Sequence, residues 1–143
     1  MSRHLDDWLA CARAALALAL AEAEGGRAAQ AVIHAAAYAG RALAIARDRS
    51  FRVLEGHALT ALARLGLALD EPAEAVTRAR QALALHRESG HRLGEARALR
   101  VIGEALYEQE RADAAAAHWR EALALFVTVG SPEAAEVGVL LGG

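Results

Sequence analysis

Residues 86–100, HRESGHRLGEARALR, set two histidines five apart among four arginines and two glutamates. Such a stretch could ligate a metal, grip an acidic peptide or contact nucleic acid. A helical metal pair needs ligands three or four residues apart on one face, and a site needs a third ligand close by. His86 and His91 instead straddle Gly90, with no cysteine or further histidine nearby. They read as corner histidines satisfied by backbone or solvent, and no metal ligand is assigned. His4, His34 and His118 are scattered and form no HExxH. Nor does the chain show a catalytic set. Ser2, Ser50, Ser89 and Ser131 stand at termini or turns, where serine caps helices, and none lies in a nucleophile elbow. The glutamates fit helix surfaces or intrahelical pairs such as Glu88 with Arg92. The expectation is a protein that is not an enzyme, with no catalytic residue and no cofactor.

The composition points the same way. Apolar residues make up 55% of the 143 and aromatics only 4%, with two prolines, so the core must be built from alanine and leucine. Those residues lead the helix-propensity ranking, which predicts an all-α chain. All sixteen basic residues are arginine, a pattern that fits a GC-rich coding sequence better than a nucleic-acid signal. With a formal charge of −2, direct nucleic-acid binding is not expected. A single cysteine, Cys11, excludes an internal disulfide and fits a small apolar seat on the first helix. Asp6 and Asp7 stand where a signal peptide would carry positive charge. The apolar run over 14–21 is far shorter than the ~20 residues of a membrane span. A soluble, cytoplasmic protein with no membrane partner is expected.

The charged stretch is not unique. Aligned with residues 46–60, ARDRSFRVLEGHALT, it matches Arg47 to Arg87, Arg52 to Arg92, Glu55 to Glu95, Ala58 to Ala98 and Leu59 to Leu99. The histidines do not repeat: His86 aligns with Ala46 and His91 with Phe51. GRALAI (40–45), RQALAL (80–85) and REALAL (120–125) continue the same forty-residue spacing. Self-similarity at such a period marks a solenoid, in which each unit buries its apolar face against its neighbours. Breakers divide each unit in two. Helices are expected over about 5–24, ended by Gly25–Gly26, then 28–47, 50–69, 72–88, 91–109 and 112–127. Asp70 should cap the fourth, with Pro72 in its first turn, and Gly90 should take the left-handed position that ends it. Gly130–Ser131–Pro132 then leads into a short last helix over about 132–140. No segment alternates with period two, so no sheet is expected. The chain reads as a single domain of three helical hairpins, over about 5–48, 50–88 and 91–128, plus a C-terminal capping helix.

Within the third unit, Leu99, Ile102, Gly103 and Leu106, followed by Ala115, Trp119 and Ala122, fall at characteristic packing spacings. The second unit holds Leu59, Leu62, Ala63 and Gly66, then Ala75, Ala79 and Ala82, at the same places. In these positions the sequence resembles the tetratricopeptide repeat (TPR) family in a forty-residue form. The resemblance covers about two-thirds of the chain, the first unit fitting only with a turn inserted. It departs from the family in lacking the early aromatic, the mid-helix tyrosine and the closing proline of each unit. It implies a right-handed α-α superhelix. The run from Ala82 to Ala134 narrows it to the C-terminal repeat region of bacterial transcriptional regulators of the antibiotic-regulatory and maltose-regulator kinds. No GxxxxGK[ST] loop and no helix-turn-helix is placed, so the chain would correspond to the sensing or docking portion alone.

In that family the first helices of the hairpins line a concave groove. Carried over, the groove residues are His57, Thr60 and Arg64 of the second unit and Arg97, Arg100, Glu104 and Tyr107 of the third. Spacings of three and four place each set on one stripe. Four of the seven can be cationic, which favours a protein or peptide partner bearing carboxylates. The family's carboxylate clamp built on lysine and asparagine is excluded, because the chain contains neither. Trp119 falls at a core position. Trp8 would cap the first hairpin or meet another subunit. The apolar tail EVGVLLGG (136–143) should fold back onto the preceding helix, with burial in a partner as the alternative. Self-association through either solenoid end stays open, as do a small-molecule sensor and an assembly scaffold.

Overall fold

The computed structural model of the chain describes residues 28–142. The expected first helix, the Gly25–Gly26 break, Ser2, His4, Trp8 and Cys11 lie outside the described residues. Six helices follow one another: α1 (Ala28–Asp48), α2 (Arg52–Ala68), α3 (Pro72–Ser89), α4 (Arg92–Glu108), α5 (Ala112–Val129) and α6 (Glu133–Leu140). No strand occurs among the described residues, and the expected helix limits hold to within two residues.

The spacing of the helices is fixed at their corners. Ser50, Asp70, Gly90, Glu110 and Gly130 stand twenty residues apart, and all have left-handed backbones with φ of 58–73°. After each, the next N–H donates to the carbonyl five residues back: Phe51 to Ala46, Glu71 to Gly66, His91 to His86, Arg111 to Leu106, Ser131 to Phe126, at 2.8–2.9 Å. This closure satisfies carbonyls that a helix end would otherwise leave open. Only two of these five corners use glycine, although the left-handed region costs other residues about 1–2 kcal/mol. Asp70 is therefore a helix terminator and not the expected cap. Glu71 occupies the N-cap of α3 and makes no side-chain cap bond. Ser50 is likewise a corner residue, and the Ser89 hydroxyl donates back to the Leu85 carbonyl. Ser131 stands just before Pro132, the N-cap of α6, and its hydroxyl accepts from the Glu133 N–H at 3.2 Å.

Each helix packs on the next in chain order, and α2 also reaches α4 across α3. The buried ridges of α1, α3 and α5 repeat residue for residue: Ala35, Ala39, Ala42 and Ala46; Ala75, Ala79, Ala82 and His86; Ala115, Trp119, Ala122 and Phe126. The ridge of α1 thus keeps the forty-residue register, and α1 begins about one turn earlier than its counterparts α3 and α5; the first helix of that unit lies outside the described residues. Leu59, Leu62, Ala63 and Gly66 of α2 and Leu99, Ile102, Gly103 and Leu106 of α4 are all buried, as their spacing predicts. Where one ridge residue grows, the facing position shrinks. Ala63 and Ala79 of the second unit correspond to Gly103 and Trp119 of the third, and a Cβ on Gly103 would collide with the Trp119 indole. That indole lies against α4 and donates from Nε1 to the Arg100 carbonyl at 3.2 Å.

The tail folds back only in part. Val137 is fully buried and Ala134 and Leu141 pack on the core, whereas Val139 is 72% exposed. No helix among the described residues is long and apolar enough to cross a membrane.

Because interior space at Gly103 is already filled, Gly103→Ala should lower the unfolding free energy by about 1–3 kcal/mol. Urea denaturation measures it, and an unchanged midpoint would contradict the tight seating of Trp119.

Candidate functional site

Arg97 and Arg100 stand one turn apart on α4, and both point at the C-terminal helix. Arg97 Nη2 lies 2.6 Å from Glu133 Oε1, and its Nε lies 3.0 and 3.3 Å from the two oxygens of the same carboxylate. Arg100 Nη1 lies 3.5 Å from Glu136 Oε2, and its Nε donates to Glu104 Oε1 of its own helix at 2.9 Å. Arg100 is the better shielded, its side chain 15% exposed, and the bond from Trp119 holds its backbone. A planar guanidinium held in this way keeps its fork aimed at a carboxylate with little rotamer freedom left to lose.

The other residues assigned to the groove are distributed differently. Thr60 is buried and its hydroxyl donates to the Gly56 carbonyl at 2.9 Å, within its own helix. Arg64 is exposed, on the stripe of α2 that leads toward α4. Tyr107 is exposed and stacks over Trp119, ring centroids 5.8 Å apart. His57 is half-buried and belongs to a second cluster. The structure thus unites Arg97, Arg100 and Glu104 with Glu133 and Glu136, and leaves Tyr107 at the rim.

That second cluster is a triangle of imidazoles at the joint between α2, α3 and α4. Ring centroids lie 5.1 Å apart for His57 and His86, 5.0 Å for His57 and His91, and 5.2 Å for His86 and His91. His91 caps α4, its Nδ1 accepting from the Gly94 N–H at 2.9 Å, so the corner reading suits it. It does not suit His86, which is fully buried with neither ring nitrogen hydrogen-bonded. Such an orphaned polar group costs about 1–3 kcal/mol. The ring fits because Gly56 and Gly94 face it: a Cβ would come within 2.6 Å of it from Gly56 and 2.5 Å from Gly94. Among the described residues no three His, Cys, Asp or Glu side chains converge as a metal site.

Burial is the main cause that lowers the His86 pKa, to about 4 from the ordinary 6.5; the charge on His91 adds to it and Arg97 slightly, against the Glu95 carboxylate. The folded state therefore favours the neutral ring.

Sequence reasoning missed Glu133, Glu136 and the depth of His86. The carboxylates left only a local trace: Glu133 and Glu136 repeat the spacing of Arg97 and Arg100, and one repeat earlier His57, Thr60, Leu93 and Ala96 stand in these places. Arg47 with Glu55 and Arg87 with Glu95 repeat at eight, each bridging a corner. Glu88 pairs with Arg52 of the neighbouring α2 and not with Arg92, which stands beyond the Gly90 corner on α4. The His86 triangle left no comparable trace, since its members come from three helices.

Neither a protein-family model nor a curated protein matches this chain.

As pH falls below 6.5 the unfolded chain protonates at residue 86 while the folded chain resists until about 4. Stability should drop by about 3 kcal/mol across that interval on account of His86. Comparing urea midpoints of wild type and His86→Ala from pH 7 to 4 (roughly the span between the two states' titrations) checks this. The variant should lack that part of the acid loss, and parallel profiles would contradict the neutral buried ring.

Proposed function

We propose that this chain is a non-catalytic binding module of the tetratricopeptide kind, its hairpins stacked as a right-handed superhelix that offers a groove to a protein or peptide partner. The observation that carries this reading is the α4 face, where Arg97 and Arg100 already hold the two carboxylates of another helix. A surface that grips glutamates of its own chain has the chemistry to grip those of another molecule. Recognition would rest on shape and on charge-assisted hydrogen bonds, with Arg64 extending the cationic stripe along α2 and Tyr107 offering a flat apolar rim.

The resemblance of the second and third units to the repeat region of bacterial transcriptional regulators suggests the setting, the sensing or docking portion of such a regulator or a stand-alone relative. The cytoplasm is the compartment that reading implies. Repeated small residues, with buried ridges in strict forty-residue register, support the stacking of hairpins.

The immobilised chain should capture partners in a salt-sensitive manner. The triple variant Arg64→Ala, Arg97→Ala, Arg100→Ala should weaken the affinity of a captured partner by about tenfold or more. Undiminished binding to the triple variant would remove the groove assignment.

A further inference from the structure

We propose that α6 is the resting occupant of the Arg97–Arg100 site, and that a partner helix bearing two carboxylates one turn apart binds there by displacing it. This rests on the reading of the α4 face as a carboxylate-binding surface.

The two helices meet as a ladder. Arg97 and Arg100 are three residues apart, as are Glu133 and Glu136, and each arginine meets one glutamate. Val137, next to the second carboxylate, is the one fully buried side chain of α6. The ligand pattern written on the chain is therefore glutamate, two spacers, glutamate, apolar residue, on a helix.

The receiving side is built independently of its occupant. Arg100 is braced by Glu104 on its own helix, and its backbone is fixed by the indole of Trp119 on α5. The occupant, in contrast, is lightly held. α6 has eight residues, too few to persist as a helix unaided, and Glu136 leaves 60% of its side chain exposed.

The preceding step of the stack shows what a permanent seat looks like. One repeat earlier, Arg97 and Arg100 correspond to His57 and Thr60, and Glu133 and Glu136 to Leu93 and Ala96. There α4 carries nine buried residues and α2 touches it directly. At the last step the apolar seat shrinks to Val137 with Ala134 and Leu141 against it, and ion pairs take up the rest, which another carboxylate helix can replace in kind.

The test is a fluorescence-anisotropy titration of the full chain with a labelled synthetic peptide of residues 131–142, alongside its counterpart with both glutamates changed to glutamine. A chain carrying Glu133→Gln and Glu136→Gln should bind the acidic peptide about tenfold or more tighter than wild type, because its site is no longer occupied. The counterpart peptide should not bind, and adding Arg97→Gln to the chain should abolish binding. In wild type, excess acidic peptide should speed hydrogen exchange of the α6 amides. Equal affinity of both chains, with α6 exchange unchanged, would overturn the displacement and leave the groove reading standing if binding still needed Arg97. No binding by either chain would remove both.

Discussion

Everything the chain presents depends on a corner that recurs every twenty residues. One left-handed residue and one N–H reaching five residues back end each long helix at the same phase. Since a helix advances about 100° per residue, equal lengths between equal corners return each ridge to the same azimuth. That is why Ala39, Ala79 and Trp119, far apart in sequence, all face inward. It is also why the corner ion pairs Arg47–Glu55 and Arg87–Glu95 recur forty residues apart.

Within that frame, the repeat conserves space more than residue type. The third unit accepts a tryptophan where the second has alanine because the facing position loses its Cβ. At the corner, a buried histidine is admitted between Gly56 and Gly94, and no hydrogen-bond partner is supplied for it. The joint between the second and third units thus holds three imidazoles in contact, one of them kept neutral by burial. The ion pairs of Arg97 with Glu133 and Arg100 with Glu136 lie just beyond it on α4.

The helices were legible in the sequence because small and large apolar residues repeat at fixed spacing, and the family resemblance then marked the packing positions of α2 to α5, which are buried. The corners at Asp70 and Glu110 were not: aspartate suits a helix cap as well as a left-handed corner, and glutamate does not mark such a corner at all. Of the seven residues assigned to the groove, Arg97, Arg100 and Glu104 share one ion-pair network with Glu133 and Glu136. Thr60 fell from the list because its hydroxyl turned to its own helix. The partners Glu133 and Glu136 escaped notice because side chains that meet across a stack share no local pattern. Only the register of the whole repeat connects them.

The central claim is that carboxylate recognition at Arg97 holds the C-terminal helix. A double-mutant cycle of Arg97→Gln and Glu133→Gln, read by hydrogen exchange of the α6 amides, addresses it directly. A coupling energy of about 1 kcal/mol is predicted, as suits a forked, partly shielded pair. Additive effects of the two substitutions would contradict it, leaving the apolar contacts of Ala134, Val137 and Leu141 as the main anchor of that helix.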